Sequence, residues 1–174
     1  LPKADFCSLR YEREKSEIIA VRQDVPEPVR MSDDAGAMVT VVNGGGTGYA
    51  ATCDLSAAGL KRAVDRAMAL AAATAGRSVC DFSRIAMPCP DGEYAGPEEV
   101  PWESVSTADK FDLLRSCCAR MKTDDRIVDR ETWLGRIAAE SIYLTGDGGR
   151  VRQRFSYIIP SMRATANDRG ETQV

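Results

Sequence analysis

The fold of this chain is constrained most strongly by residues 37–52, which read as a β-hairpin. Residues 37–42 form the strongest strand pattern in the chain, with β-branched side chains at Val39, Thr40 and Val41. The segment after them supplies the residues that adopt a positive φ in a tight turn, namely Asn43, Gly44, Gly45 and Gly46. We therefore predict that residues 48–52 return as the second strand of an antiparallel pair.

Two further strands are predicted before this hairpin, near residues 5–14 and 17–23. Both stretches have the alternation and the β-branched content of half-buried strands, with a break at Ser16. Residues 25–28 contain two prolines, so they are predicted to lie at a sheet edge or in a turn. The first quarter of the chain is therefore predicted to be an antiparallel meander.

Two helices are predicted in the middle of the chain, separated by a long connection. Apolar residues recur at three- and four-residue spacings over 57–74, after a capping residue at Ser56. Residues 77–104 contain four prolines and show no periodicity, which is typical of a loop. A second capping residue, Ser106, precedes an apolar face traced by Phe111, Leu114, Cys118 and Met121, and this helix is predicted to end at 122–125.

The last third returns to strand-like sequence. We predict strands over 126–134, 136–145, 151–159 and 161–168, with a hairpin turn at 146–149 and another turn beginning at Asp168 that starts a further strand. The predicted fold class is α+β, with antiparallel sheets in a four-strand, helix, loop, helix, four-strand order. Residues 1–174 are predicted to form a single domain, as the length of 174 residues favours.

Composition excludes several classes of function. The chain has no histidine, so it cannot build a Ser-His-Asp triad, an H-E-x-x-H zinc pair or an imidazole general base. The net charge of -3 gives no basic surface for nucleic acid. The longest apolar run, around 67–73, is far shorter than the roughly 20 residues that span a bilayer. We therefore expect no direct nucleic-acid partner and no membrane association.

Two motifs are better explained by structure than by chemistry. The segment 46–51 fits G-x-G-x-x-A, but a dinucleotide site would need a helix after it, and here a strand continues. Six cysteines occur without any C-x-x-C, which favours reduced, mostly buried thiols over a zinc or redox motif. A cysteine nucleophile at Cys53 or Cys89 would need an activating base or cation, and the sequence marks none.

Alternating arginines on one predicted strand are the candidate contact site for a peptide or a partner. Arg150, Arg152 and Arg154 would share one strand face and present guanidinium groups to carboxylates, phosphates or a peptide backbone. The alternative is a solvated outer face on which these arginines pair with acids of the neighbouring strand. No catalytic residue and no metal ligand is predicted.

The assembled pattern resembles the N-terminal domain of the TldD/PmbA family, whose PmbA branch is also called TldE and whose members are historically described as modulators of DNA gyrase. The resemblance covers nearly the whole chain and lies in the order and spacing of short segments. These segments are Ala4-Asp5-Phe6, Leu9-Arg10-Tyr11-Glu12, Ser16-Glu17, Ser32-Asp33-Asp34-Ala35-Gly36, Gly48-Tyr49-Ala50-Ala51-Thr52, Asp54-Leu55-Ser56, the helix from Leu60 to Ala73, Lys110 to Leu114, Arg126-Ile127-Val128 and Gly146-Asp147-Gly148.

The resemblance implies a cytoplasmic zinc metallopeptidase system in which TldD-like and PmbA-like subunits assemble around an internal chamber and act on unfolded peptides. In TldD-like members an H-E-x-x-x-H helix and a later cysteine hold the zinc, all downstream of the region matched here. Because this chain has no histidine, no catalytic or metal residue carries over to it. We expect a fragment that lacks a C-terminal metallopeptidase-type domain.

The expected role is that of a non-catalytic scaffold. Its sheets would wall a chamber and present strand edges to a TldD-like or PmbA-like partner subunit, in a homo- or hetero-oligomer, or to an extended peptide. No cofactor is expected in this chain, although zinc is implied for the full-length TldD-like relatives. The alternative is a free-standing α+β module that binds a protein or peptide and has no link to proteolysis.

Overall fold

The computed structural model of the chain describes residues 1–77, 80, 82 and 85–174. Within these residues the chain forms eight strands and two α-helices, and a 3₁₀ turn covers Trp102–Ser104. In chain order they are β1 (Phe6–Arg22), β2 (Val25–Pro26), β3 (Arg30–Asn43), β4 (Gly46–Thr52), α1 (Ala57–Thr74), β5 (Asp91–Ala95), α2 (Thr107–Arg120), β6 (Ile127–Thr145), β7 (Arg150–Asp168) and β8 (Glu171–Gln173). The predicted α+β class is confirmed.

The strands form one sheet in the order β4-β3-β1-β6-β7-β5, with β2 paired to β1 and β8 paired to β7. The predicted hairpin is confirmed: β3 and β4 are antiparallel from Ala37↔Thr52 to Asn43↔Gly46, around a turn in which Gly44 and Gly45 have positive φ. The pair β5–β7 is parallel and departs locally from the antiparallel pattern. This departure arises because β5 comes from the long connection and not from a hairpin.

Several predicted strand boundaries are wrong because the real strands are longer. The break at Ser16 does not occur, since β1 runs through it and the Ser16 and Ser32 hydroxyls lie 2.8 Å apart. The predicted gap at Gly135 is also absent: the Trp133 ring fills the space beside Gly135, 2.9 Å from where a Cβ would lie. Pro160 likewise lies inside β7. The predicted connection 77–104 contains β5, which sequence reasoning missed.

The chain divides into two compact units, each assembled from three separate segments. Unit 1 consists of Leu1–Glu14, Asp34–Ala95 and Ala139–Arg154. Its core joins α1 to the sheet and contains Cys7, Val39, Val41, Ala50, Ala63, Ala67 and Ala71. The helix α1 covers the predicted residues, and the predicted cap is present because the Ser56 side chain accepts a hydrogen bond from the Gly59 backbone N–H at 3.1 Å.

Small residues on both elements let the backbone of α1 come into contact with the backbone of β4. A Cβ added at Gly46 would lie 2.0 Å from the Ala71 carbonyl oxygen, and one added at Gly48 would lie 2.1 Å from the Ala67 carbonyl oxygen. The hydroxyl of Thr74 closes the same contact, donating to the Thr47 carbonyl at 2.7 Å. The alanine-rich half of α1 therefore packs closely against β4 because the glycines of this strand leave room for the helix backbone.

Unit 2 consists of Lys15–Asp33, Gly96–Ala138 and Phe155–Val174. Its core packs α2 on the sheet and contains Ile19, Val21, Trp102, Leu114 and Cys118. The predicted cap at Ser106 is confirmed, since its hydroxyl accepts a hydrogen bond from the Asp109 backbone N–H at 3.1 Å and donates one to the Asp109 carboxylate at 2.6 Å. No helix in the described part of the chain is long and apolar enough to cross a membrane.

Candidate functional site

The predicted arginine site lies in unit 1, where β7 pairs with β5. Arg150 is in register with Asp91, and Arg152 is in register with Glu93. Arg152 donates to the Glu140 carboxylate of β6 from Nε at 2.8 Å and from Nη2 at 2.6 Å, and this hydrogen bond, with the charge of Glu140, raises the pKa of Arg152. The Nη2 group of Arg154 donates to Glu93 at 3.4 Å.

The three arginines thus differ in what they can offer a ligand. Arg152 and Arg154 are engaged by acids of the two neighbouring strands, as the alternative interpretation expects. The Arg150 side chain is exposed and has no ion-pair partner among the described residues. A contact with a peptide or partner at these positions stays a prediction, and Arg150 is the guanidinium best placed to make it.

The prediction that the cysteines are mostly buried is wrong. Cys7 and Cys118 are buried, and burial raises the pKa of both thiols. Cys117 is half-buried, whereas Cys53, Cys80 and Cys89 are exposed. The exposed three lie at a strand end and in the connection, where no apolar periodicity had pointed to burial.

A second candidate site, which sequence reasoning missed, is an open groove of about 720 Å³ on the sheet of unit 1. We call it the acidic groove; it is lined among others by Arg10, Glu12, Glu14, Asp34, Met38 and Cys53. Successive side chains of a strand point to opposite faces of the sheet. Val39 and Leu9, which are the sequence neighbours of Met38 and Arg10, pack in the α1 core. Met38 and Arg10 therefore point to the other face. The acidic groove therefore lies on the sheet face that α1 leaves uncovered.

The electrostatics of the acidic groove are unbalanced. Arg10 lies 3.8 Å from Glu12, and its guanidinium carbon is 6.0 Å from the centre of the Tyr143 ring. Glu14 and Asp34 have no ion-pair partner among the described residues. The groove thus contains three carboxylates, those of Glu12, Glu14 and Asp34, and one cation, Arg10, which already has Glu12 as a partner. The signal that could have found half of this site is the alternation of charged residues at 10, 12 and 14.

In the part of the chain that the structure describes, the acids near Asp34 and near Asp124 do not form a metal site. In residues 1–77, 80, 82 and 85–174, no three Asp, Glu, Cys or His side chains lie close enough together to hold a metal ion. Asp124 instead binds Arg126 at 2.8 Å, and Asp129 binds Arg22 at 2.9 Å and 3.0 Å.

These features define an α+β fold in which α1 packs on the sheet in unit 1 and α2 packs on the sheet in unit 2, with an arginine-bearing strand and an acidic groove in unit 1. Residues 7–71 match the family model described as PmbA/TldA metallopeptidase domain 1. No curated protein sequence matches the chain.

Solved structures match over almost the whole chain. A protein from Bacteroides thetaiotaomicron described as a modulator of DNA gyrase is 15% identical with a TM-score of 0.73 over 97% of this chain. A protein of the same description from Thermotoga maritima is 14% identical with a TM-score of 0.71 over 95% of it. TldE from Thermococcus kodakarensis is 13% identical with a TM-score of 0.70 over 97% of it.

The resemblance to the N-terminal domain of the TldD/PmbA family is confirmed, by the family model over 7–71 and by the shared fold beyond it. The chain spans 38%, 37% and 38% of the lengths of these three structures. The activity, substrates and partners of a full-length protein of this kind can therefore only be proposed for this chain.

Proposed function

We propose that this chain is the non-catalytic scaffold domain of a TldD/PmbA-type metallopeptidase assembly in the cytoplasm. The observation that carries the proposal is the match of 7–71 to the first domain of that family, on a fold shared with TldE over 97% of the chain. In this role the sheet walls a chamber and contacts a TldD-like or PmbA-like partner subunit, while peptide hydrolysis takes place elsewhere in the assembly.

The residues of this chain do not fit the zinc that the family implies. The family pattern needs two histidines on one helix and a later cysteine, and the chain has no histidine. The described cysteines and acids do not converge on a common point either. We therefore assign no catalytic step to this chain; its contribution is shape, contact surface and the exclusion of solvent from the chamber.

The proposal is tested by mixing the purified, tag-free chain in turn with a TldD-like and a PmbA-like protein of the same genome and measuring the mass of each mixture by light scattering. We expect a stable complex, and we expect the chain alone to bind no stoichiometric zinc and to leave an unfolded casein substrate intact. Chelator-sensitive cleavage by the chain alone would overturn the scaffold role. A chain that forms no complex with TldD-like or PmbA-like subunits would instead support the free-standing binding module.

A further inference from the structure

We propose that the acidic groove of unit 1 binds an extended peptide segment that carries Lys or Arg side chains. The groove lies on an uncovered sheet face, and its volume of about 720 Å³ is large enough for several residues of an extended chain. No helix of unit 1 covers this face in the described residues, since α1 packs on the opposite one. The surface is therefore accessible along the strands.

One edge of the acidic groove is formed by β3 around Ala35, and we call this edge the rim. Its backbone can pair with an added strand. The pairing of β3 with β4 starts at Ala37↔Thr52, so no described strand pairs with Ala35 on that side. Asn43 and Gly46 flank a two-residue turn, and residues in this position form a hydrogen-bonded pair. Because such pairs recur at every second residue, the odd-numbered residues of β3 direct their N–H and C=O groups toward β4. Ala35 continues this series and offers its N–H and C=O to an incoming strand.

Glycine at position 36 keeps this rim open. A Cβ at Gly36 would lie 3.3 Å from the Thr52 carbonyl oxygen, so a side chain here would press on the end of β4. Ala35 and Ala51 are small, and Met38 is 40% exposed and flexible. An extended backbone can therefore lie along the rim and place every second side chain over the groove.

Charge selects the kind of peptide. The unpaired carboxylates of Glu14 and Asp34 lie in the groove, and the cation of Arg10 is held by Glu12 and Tyr143. Side chains of Lys or Arg, projecting from alternate positions of an added strand, would meet these carboxylates, whereas acidic side chains would be repelled. Backbone pairing gives affinity without regard to sequence, and the carboxylates add the preference for basic residues.

The test measures binding of a fluorescein-labelled peptide of alternating Lys and Thr residues to the full chain by fluorescence anisotropy. A matched peptide of alternating Glu and Thr is the comparison. We expect the basic peptide to bind, the acidic peptide not to bind, and the affinity to fall as ionic strength rises above about 0.15 M. The double variant Glu14→Gln/Asp34→Asn should weaken binding roughly fivefold.

The matched control is Glu99→Gln/Asp125→Asn, which removes the same charge from two exposed carboxylates of unit 2 and should change the affinity by less than about twofold. A second readout is alkylation by iodoacetamide, followed residue by residue by mass spectrometry. The bound basic peptide should slow labelling of Cys53, which lines the groove, and leave labelling of Cys89 unchanged.

Equal affinity of both double variants, or unchanged labelling of Cys53 in the presence of the basic peptide, would overturn this inference. Equal binding of the acidic and basic peptides would do the same. The measurement uses the chain alone, so a failure here leaves complex formation with a TldD-like subunit untouched, and a failure to form that complex leaves peptide binding untouched.

Discussion

Individual carboxylates of unit 2 are held in their charged form by arginines. Arg22 clamps Asp129 through two hydrogen bonds, and this contact lowers the pKa of Asp129. Hydrogen bonds from the side chain and the backbone of Arg126 likewise hold the pKa of Asp124 well below its usual range. A carboxyl group that is more acidic in the folded chain than in the unfolded chain makes stability depend on pH.

We predict that the free energy of unfolding falls as the pH is lowered from about 5 to about 2. The contribution of a carboxylate with a depressed folded pKa is fully present above its unfolded pKa of about 3.9 and is lost as the pH falls through the folded pKa. The variants Asp124→Asn and Asp129→Asn should each flatten this dependence. Urea denaturation at a series of pH values measures it, with Glu99→Gln as the control; an unchanged slope in both variants would contradict the assignment.

Trp102 is the residue that fastens the long connection to the sheet of unit 2. Its Nε1–H donates to the Glu17 carboxylate at 2.8 Å, and the Lys110 ammonium lies 3.8 Å from the centre of its ring. Both Trp102 and Lys110 are buried. The indole therefore joins a hydrogen bond to a charged acceptor, a cation–π contact and core packing in one side chain.

We predict that Trp102→Ala lowers the free energy of unfolding by about 3–5 kcal/mol, because it removes a large buried ring and leaves two charged groups without their partner. Trp102→Phe keeps a ring and loses the hydrogen bond to Glu17, at a cost of about 1.5 kcal/mol. Urea denaturation measures both. Tyr49→Ala, at a side chain that is 69% exposed, should stay within about 0.5 kcal/mol, and an equal effect of all three changes would argue against this role for Trp102.

At the scale of elements, the contact between α1 and β4 depends on residues without side chains. We predict that Gly48→Ala lowers the free energy of unfolding by about 3 kcal/mol, since the new Cβ would lie 2.1 Å from the Ala67 oxygen and 2.6 Å from the Ala71 nitrogen, both backbone atoms. The matched control is Gly92→Ala, whose Cβ would meet nothing within 4 Å. Thermal denaturation compares the two, and equal melting temperatures would show that α1 can move away at little cost.

Elements with a strong local pattern could be predicted from sequence. The apolar periodicity and the Ser56 cap place α1 at its observed bounds, and the glycine turn places the β3–β4 hairpin. Strand β5 could not be found in this way, because its five residues are all exposed and it exists through pairing with a strand far along the chain. The continuity of β1 through Ser16 likewise depends on a partner at Ser32.

The candidate sites could be predicted only in part for the same physical reason. Alternation alone puts Arg150, Arg152 and Arg154 on one strand face, but their partners Glu93 and Glu140 come from remote segments. In the acidic groove, Glu12 and Glu14 lie on one strand and Asp34 on another, so their convergence requires a register that the local sequence does not contain.

For the molecule as a whole, the interleaving of segments has a consequence for biosynthesis. Unit 1 needs Ala139–Arg154 and unit 2 begins at Lys15, so no contiguous stretch of the chain holds either unit alone. Residues up to Arg154 must therefore leave the ribosome before unit 1 is complete, although the residues that pack in the α1 core all lie within 4–71. A nascent chain of this kind depends on its exposed apolar surfaces being shielded during that delay.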